Sequence, residues 1–334
     1  MTNQTSSFVK QFPDLMAGKT LLYVHGFGSS GQSGTITRLR AVLPNAHVVA
    51  PDVPLHPQEA QSLLRDLCAK EQPDLIIGTS MGGMYAEQLY GYDRILLNPA
   101  LRIADTMQEH GLTGKQQWFN PRQDGQTEFY VDKALVKEYR QATDQAFSGV
   151  TPEEQRRVIG LFGDRDELVH TYDLFLEHYP NAIRFHGEHR MDDHSYMHSV
   201  LPVIRWVDDR QEHRERPIVY IGVETLADSH RQPASNSQKT VRQLIESYQV
   251  YFVAPAYTPR PQDYDATQRW LEEYINVPAW GHTVFTNQRH LLYGDYLIES
   301  VKTADPMATR IAFGSDTFKS WEDVQDYFLR LQGQ

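Results

Sequence analysis

The stretch Asp74-Leu75-Ile76-Ile77-Gly78-Thr79-Ser80-Met81-Gly82-Gly83-Met84-Tyr85-Ala86-Glu87 decides the fold. A short apolar run ends at a Gly-x-Ser-x-Gly pentapeptide and a helix-compatible sequence follows, so the stretch predicts a strand, a sharp turn and a helix. Gly78 and Gly82 have no side chain, which lets the strand and the helix approach closely. A serine at such a turn projects its Oγ above the carboxyl edge of a sheet, and Ser80 is therefore a candidate nucleophile.

Strands and helices alternate on both sides of this turn. Buried strands are predicted at 20–24, 47–51, 94–99, 157–163 and 182–185, and amphipathic helices at 33–43 and 57–70. Such alternation is typical of a parallel sheet with right-handed crossovers and with its ligands at the carboxyl ends of the strands. We therefore predict an α/β fold in which Ser80 occupies the nucleophile elbow of an α/β-hydrolase.

A glycine-rich loop, 25–31, follows the first strand. In α/β-hydrolases the loop after an early strand supplies one backbone N–H of the oxyanion hole, and the residue after the nucleophile supplies the other. Those donors would be Phe27 and Met81. The loop lacks the Gly-Lys-Ser/Thr ending of a phosphate-binding loop, and a plain connector is the alternative.

The catalytic acid is expected on a loop after a late strand, because the triad of this fold runs Ser, acid, His along the chain. Two aspartates follow the strand 157–163. Asp166 is preferred, since its place before a helix start fits this loop. Asp164 is the alternative and is more typical of a turn or cap.

Three histidines crowd the loop after the strand 182–185. His189 is the preferred general base because it lies just beyond a glycine turn at the sheet edge; His194 is second, and His186 still lies on the strand. Asp166 would hold one ring nitrogen of His189 while the other accepts the Ser80 proton.

The same loop allows a second interpretation. His189, Asp192, Asp193 and His194 could ligate a divalent metal. The His-Glu-x-x-His helix pattern of zinc hydrolases is absent, and a solvated polar loop is the commoner cause of such a cluster. The preferred prediction is that the chain uses no metal and no cofactor.

Between 101 and 149 the strand pattern is lost, and the segment is rich in Gln and aromatic residues. In a hydrolase this is the place for an insertion that covers the substrate, where aromatics form an apolar acyl pocket. A surface excursion packed by its own aromatics is the equal alternative.

Composition limits the partners and the compartment. The 334 residues carry a formal charge of -11, and we find no Lys/Arg cluster that would neutralise phosphates, so nucleic acid is not expected as a partner. One cysteine, Cys68, excludes an internal disulfide and a multi-Cys zinc site. No apolar run approaches the ~20 residues that span a bilayer, and 1–19 does not resemble a secretory signal. We expect a cytoplasmic protein without membrane association, for which a homo-oligomer remains open.

The first ~200 positions, the length of one α/β domain, resemble the YqiA-like esterase family of small α/β-hydrolases. The resemblance implies a carboxylic ester or thioester hydrolase that uses Ser80, Asp166 and His189. It rests on five motifs that occur in order along the chain: 22–27 with Ser29 and Ser30, 78–86, 97–100, 166–169 and 187–189.

A charged stretch, 209–216, is predicted to link this domain (1–208) to a second α/β domain (217–334). The second domain resembles the haloacid dehalogenase superfamily, in particular its bacterial 5′-deoxyribonucleotidase-like branch, through 253–256, 294–298, 313–316 and 321–322. This resemblance implies a Rossmann-like sheet.

The second domain departs from the phosphatase pattern at the positions that carry its chemistry. Such enzymes use an Asp nucleophile and an Asp acid/base two residues later, where this chain has Gly222 and Glu224. The phosphate-binding hydroxyl is replaced by Ala254, and the pair of magnesium-binding acids reads Glu299-Ser300, although a basic residue remains at Arg289. Because these groups serve one transition state, the domain is predicted to be catalytically inactive.

The sequence thus predicts a serine hydrolase that cleaves an ester or thioester of a small acyl substrate. Two alternatives stay open: a nucleotidase-type phosphatase that acts through the C-terminal domain, and a non-catalytic binding or scaffold protein.

Overall fold

The computed structural model describes residues 12–256 and 260–332. Residues 1–11 of the predicted N-terminal domain lie outside this range, as do 257–259 and 333–334 of the C-terminal domain. The expectation that 1–19 is not a secretory signal therefore falls mostly on residues outside the described range. The described chain divides into two compact units. The first takes the residues up to 183 together with 187–197 and 203–208, and the second takes 184–186, 198–202 and the residues from 209 onward.

A six-stranded sheet forms the centre of the first unit, with strand order β2-β1-β3-β4-β7-β8. The pairs from β2 through β7 are parallel. The β3 and β4 strands are buried along their whole length apart from the last residue of β3, which is why their sequences are continuous apolar runs. The strands are β1 (Thr20–Val24), β2 (His47–Val49), β3 (Leu75–Thr79), β4 (Arg94–Leu97), β7 (Val158–Gly163) and β8 (Ala182–Phe185).

Helices connect these strands, and their ends follow local rules. The second helix, for example, begins with Pro57 at its first position and ends where Gln72 takes a left-handed conformation. The helices between residues 34 and 211 are α1 (Gly34–Val42), α2 (Pro57–Glu71), α3 (Met81–Glu87), α4 (Ile103–Glu109), α5 (Lys133–Thr143), α6 (Pro152–Arg157), α7 (Tyr172–Leu176), α8 (Asp193–Ser195) and α9 (Leu201–Gln211), with a π-helical turn at Tyr196–Val200 before α9.

The segment 101–149 is more ordered than its sequence pattern suggests. It holds α4, α5 and between them an antiparallel pair, β5 (Gly114–Gln117) and β6 (Glu128–Val131). Phe129 anchors the pair through ring contacts with Phe27 at 5.2 Å and Trp118 at 4.3 Å. These strands are only four residues long, which explains why no alternation is visible in the sequence.

The predicted linker 209–216 is partly helical. Helix α9 continues to Gln211, and the buried Asp209 accepts hydrogen bonds from Arg214 at 2.6 Å and Arg216 at 2.5 Å. Three of the charges that predicted a solvated linker, Asp209, Arg214 and Arg216, therefore pair with one another.

The second unit is built on a five-stranded parallel sheet of order β11-β10-β9-β12-β13. The order reverses direction between β9 and β12, as in Rossmann-like folds, so the predicted fold class of both halves is confirmed. Strand β13 has no counterpart in the sequence prediction. The elements are β9 (Ile218–Gly222), α10 (Ser237–Ser247), β10 (Gln249–Ala254), α11 (Gln262–Trp270), β11 (Thr283–Phe285), β12 (Tyr296–Glu299), β13 (Thr309–Ala312) and α12 (Trp321–Leu331), with a π-helical turn at Leu271–Ile275 and 3₁₀ turns at Val223–Thr225 and Arg289–Leu291.

Among residues 12–256 and 260–332, no helix combines the length and the apolar character needed to cross a bilayer.

Candidate active site

Ser80 lies at the tip of a strained turn between β3 and α3. Its backbone has φ 55° and ψ -119°, a conformation that residues other than glycine rarely adopt. Close packing holds the turn: a Cβ at Gly78 would lie 2.4 Å from the Gly82 carbonyl oxygen, and a Cβ at Gly82 would lie 2.0 Å from that of Val24. The two glycines are therefore required by contact distance, as the pentapeptide predicts.

The structure brings Ser80, His189 and Asp166 into one chain of hydrogen bonds. The Ser80 Oγ lies 3.0 Å from Nε2 of His189, and Nδ1 of the same ring lies 2.8 Å from Oδ2 of Asp166. A carboxylate can only accept, so Nδ1 carries the proton and Nε2 is left to accept from the serine hydroxyl. This is the tautomer that general-base catalysis requires.

The Asp166 carboxylate is fixed by its own loop. Its Oδ1 accepts hydrogen bonds from the backbone N–H groups of Leu168 at 2.8 Å and Val169 at 2.9 Å, which leaves Oδ2 for His189. The side chain is only 3% exposed. The site therefore presents a buried, oriented anion to the imidazole.

Asp164, the alternative acid, has a different place. Its Oδ1 accepts the backbone N–H of Gly187 at 2.9 Å, and the Arg165 N–H donates to the Gly187 carbonyl at 2.9 Å. Asp164 thus ties the acid loop to the histidine loop and does not bond to His189.

The other candidate histidines and the candidate metal ligands do not join the site. His186 and His194 are exposed, and neither bonds to Ser80 or Asp166. Asp192 accepts the Ser195 N–H at 2.7 Å, and Asp193 pairs with Arg38. Within the described ranges, no group of three or more His, Cys, Asp or Glu side chains is arranged to hold a metal ion.

Asn98 is a site residue to which sequence reasoning gave no role. Its backbone has φ 42° and its side chain is buried just after β4. The Oδ1 accepts the Gly163 N–H at 2.7 Å, and the Nδ2 donates to the carbonyls of Glu188 at 3.2 Å and His189 at 3.1 Å. One amide therefore sets the spacing of the acid and histidine loops. A polar residue at the carboxyl end of a buried strand was the signal available for it.

The two predicted oxyanion donors are the backbone N–H groups of Phe27 and Met81. In the part of the chain that the structure describes, neither the Phe27 N–H nor the Met81 N–H donates to a protein acceptor. The loop that carries Phe27 is held by His25, whose Nε2 accepts the Val53 N–H at 2.9 Å and whose Nδ1 donates to the Gly26 carbonyl at 2.9 Å. His25 is buried and neutral, because burial lowers its pKa to about 4.

Acidification is expected to destabilise the first unit through His25. The unfolded chain binds this proton near pH 6.5 and the folded chain only near the lowered pKa of about 4, so the free energy of unfolding falls as the pH drops between them. The expected loss between pH 7 and pH 5 is about 2 kcal/mol. Burial also lowers the pKa of His282, in the second unit, to about 4. The contribution of His25 must therefore be separated from that of His282 by comparing wild type with a His25 variant.

Urea unfolding of wild type and His25→Gln at both pH values isolates the contribution of His25. The variant should lose about 2 kcal/mol less than wild type on acidification. Equal losses in the two proteins would contradict the assignment of a neutral His25.

A cavity of about 530 Å³ within the first unit opens onto Ser80. Residues of the segment 101–149 form much of its wall; that the segment covers a substrate stays a prediction. The insertion contributes Ile103, Thr106, Leu112, Gln116, Gln117, Phe119, Asn120 and Phe129, and the remaining wall includes Phe27, Leu168, Val169, His189 and Tyr196.

The segment 101–149 is hydrogen-bonded directly to the glycine-rich loop 25–31, which carries the predicted donor Phe27. The Phe119 N–H donates to the Gly28 carbonyl at 2.7 Å, Asn120 donates to the Ser29 hydroxyl at 3.0 Å, and the Ser30 hydroxyl donates to the Pro121 carbonyl at 2.6 Å. These hydrogen bonds therefore join the cavity wall to the loop that carries Phe27, the predicted donor.

The family model described as "Uncharacterised protein family (UPF0227)" matches residues 20–196, which is more than half of the chain. The matched range includes Ser80, Asp166 and His189. The chain belongs to the UPF0227 family. This is the YqiA-like esterase family to which the sequence motifs point.

This UPF0227 chain is also similar, over part of its length, to curated proteins named as deoxyribonucleotidases. It is 31% identical over 111 residues to a Staphylococcus aureus protein named "Putative 5'(3')-deoxyribonucleotidase", covering 30% of this chain and 61% of the relative. A Vibrio phage KVP40 protein of the same name is 24% identical over 102 residues, covering 30% and 60%. The chain thus spans about 60% of the length of these curated relatives. The predicted resemblance to the deoxyribonucleotidase-like branch is confirmed.

Solved structures with similar folds include a marine microorganism esterase and Est1E from Butyrivibrio proteoclasticus. The first is 14% identical with a TM-score of 0.37 and covers 59% of this chain and 95% of its own. The second is 17% identical with a TM-score of 0.39 and covers 60% and 89%.

In the second unit, three of the positions compared with the phosphatase pattern, Glu224, Arg289 and Glu299, form a cluster of ion pairs at the switch point between β9 and β12. Arg289 donates to both carboxylate oxygens of Glu224 at 2.7 Å and to Glu299 at 3.3 Å. Arg310 and Thr303 donate to Glu299 at 2.8 and 2.6 Å. Burial alone would raise the pKa of Glu299, but these hydrogen bonds hold it below its ordinary value. Arg289 is therefore occupied by the chain's own carboxylates.

Proposed function

We propose that the first unit is a serine hydrolase that cleaves the carboxylic ester or thioester bond of a small acyl substrate. The hydrogen-bonded chain from Ser80 through His189 to Asp166 carries this proposal, since it combines a nucleophile, a base with its accepting nitrogen free for the serine, and a buried orienting anion.

In the first step the Ser80 Oγ attacks the acyl carbonyl carbon while Nε2 of His189 takes the hydroxyl proton. The new C–O bond yields a tetrahedral oxyanion, and the Phe27 and Met81 N–H groups are the proposed donors to it, each contributing about 3 kcal/mol to lowering the barrier. Collapse breaks the bond to the alcohol or thiol, which leaves with the proton from His189. Water activated by His189 then hydrolyses the acyl-serine and restores the enzyme.

We further propose that the second unit is catalytically inactive. A phosphoryl group would need Arg289 as a partner and an aspartate nucleophile, whereas Arg289 is engaged by Glu224 and the nucleophile position is Gly222. The likeness to deoxyribonucleotidases then reflects fold and ancestry.

The test is an assay of p-nitrophenyl and coenzyme A esters of increasing acyl length with chelator present, together with labelling by a fluorophosphonate. Chelator-resistant turnover and one fluorophosphonate group per chain, located on Ser80 by peptide mass spectrometry, are expected. Magnesium-dependent hydrolysis of deoxyribonucleoside monophosphates, with Ser80 unlabelled, would instead favour the nucleotidase alternative. A chain that shows neither activity nor labelling would be a binding protein.

A further inference from the structure

The motif 97–100, Leu-Asn-Pro-Ala, lies at the carboxyl end of β4, the strand between β3 and β7. It supplies no group of the proposed mechanism, yet its backbone is hydrogen-bonded to the Ser80 turn. The Ser80 N–H donates to the Leu97 carbonyl at 2.9 Å, and the Ala100 N–H donates to the Ser80 carbonyl at 2.9 Å. Both backbone polar groups of Ser80 are therefore bonded to this motif.

The same motif is bonded to both ends of the loop that carries Asp166. Before the loop, the Gly163 N–H donates to Oδ1 of Asn98 at 2.7 Å. After it, the hydroxyl of Thr171, the residue that precedes α7, donates to the Pro99 carbonyl at 2.6 Å. Thr171 is buried, and a hydrogen bond is stronger there than in water. The position of Asp166 therefore depends on the motif.

The loop that carries His189 is bonded to the same asparagine. Nδ2 of Asn98 donates to the carbonyls of Glu188 at 3.2 Å and His189 at 3.1 Å. Because all partners of the amide are backbone groups, its oxygen must face the Gly163 N–H and its NH₂ must face the two carbonyls. Asn98 is only 2% exposed, so water does not compete for these bonds. The Asn98 amide thus joins the acid loop to the histidine loop.

The backbone of Asn98 limits which replacements can test the amide. Its φ of 42° lies in the left-handed region, which asparagine and aspartate tolerate better than most side chains and which glycine adopts freely. Alanine at this position would add backbone strain to the loss of the amide. Aspartate and glycine avoid most of that strain, so they isolate the contribution of the side-chain hydrogen bonds.

We propose that Asn98 is a positioning residue that keeps His189 within hydrogen-bonding distance of both Ser80 and Asp166. This inference rests on the proposed hydrolase function and adds to it a side chain that touches neither the substrate nor the reacting atoms. The distances to be maintained are 3.0 Å from Nε2 of His189 to the Ser80 Oγ and 2.8 Å from Nδ1 to Asp166. A displacement of about 1 Å in such an arrangement can lower a rate about 10²-fold.

Asn98→Asp removes the donor and keeps the shape. One carboxylate oxygen can still accept from the Gly163 N–H, but the other faces the carbonyls of Glu188 and His189, and acceptors repel one another. We expect kcat for ester hydrolysis to fall about 10²-fold. KM should stay near its wild-type value, because His189 acts in the proton transfer and a loss confined to kcat indicates an effect on the transition state.

Asn181→Asp is the matched control. Nδ2 of Asn181 also donates to two backbone carbonyls, those of Gln155 at 3.0 Å and Val158 at 3.1 Å, but at the amino ends of β7 and β8. This variant removes the same pair of bonds, so it should lower the melting temperature as much as Asn98→Asp does, while kcat stays near the wild-type value. Equal losses of kcat in the two variants would mean that Asn98 only supports the fold, and the proposal would fail.

Asn98→Gly is the second variant, which decides the question if the aspartate variant does not fold. Glycine adopts the positive φ and adds no charge, so only the hydrogen bonds of the amide are lost. We expect kcat to fall by at least about tenfold, again with little change in KM. A folded glycine variant with wild-type kcat would overturn the proposal.

A crystal structure of Asn98→Asp, or of Asn98→Gly, tests the positioning of His189 without any substrate. Nε2 of His189 should lie beyond the ~3.5 Å limit of a hydrogen bond from the Ser80 hydroxyl. An unmoved ring would refute the role of Asn98, whatever the activity of the protein. If wild type hydrolyses no ester, the proposed function fails, and the position of His189 in the variant still decides whether Asn98 holds it. If wild type and both Asn98 variants are equally active, the hydrolase stands and the positioning role fails.

Discussion

Replacement of Ser80 by alanine is expected to lower kcat for ester hydrolysis by about 10⁴- to 10⁶-fold. The variant loses the attacking oxygen, so His189 and Asp166 have no nucleophile to activate, and only the oxyanion donors and substrate binding remain to accelerate attack by water. The fold should persist, since Ser80 donates its hydroxyl only to His189. Steady-state hydrolysis of the best p-nitrophenyl ester, in chelator, measures the effect.

A matched control is Ser229→Ala, which changes an exposed serine of the second unit whose side-chain hydrogen bond is to the neighbouring His230. This variant should keep the wild-type rate. If Ser80→Ala retained more than a tenth of the activity, the chemistry would have to lie elsewhere in the chain.

The residues at Ser80 could be predicted because local constraints leave few choices. The turn needs glycine at 78 and 82, where any Cβ would collide with backbone oxygens. Buried parallel strands need continuous apolar runs, so β1 begins and ends at the predicted residues. Chain order then places the acid and the histidine on two particular loops. Asp166 and His189 were chosen on those loops by the same rules. His189 lies 3.0 Å from Ser80 and 2.8 Å from Asp166, and the catalytic roles of these residues stay predictions.

Residues whose roles depend on contacts between distant loops were not predictable. Asn98 bridges Gly163 and His189, which are far from it in sequence, and an Asn-Pro pair by itself indicates only a turn. The Tyr196 hydroxyl has no hydrogen-bond partner among the described residues, and the sequence does not show this, because tyrosine in a helical pattern ordinarily indicates core packing. Strand β13 was missed because its pattern, Thr309–Ala312, is short and half polar.

Asp166→Asn is expected to lower kcat by about 10⁴-fold, and Asp164→Asn by less than about tenfold. The Leu168 and Val169 N–H groups donate to Oδ1 of Asp166, so an asparagine there would turn its carbonyl oxygen toward them and its NH₂ toward His189. Nδ1 would then have to accept, the ring proton would move to Nε2, and the ring could no longer take the proton of Ser80.

Asparagine at 164 keeps a carbonyl oxygen for the Gly187 N–H and leaves the histidine tautomer unchanged, so this variant is the matched control for Asp166→Asn. Measurement of kcat and of the melting temperature for both variants decides between the two acids. The first should lose activity while remaining folded, and the second should change little in either quantity. A larger loss of kcat in Asp164→Asn, at an unchanged melting temperature, would contradict the choice of Asp166 and assign the orienting carboxylate to Asp164.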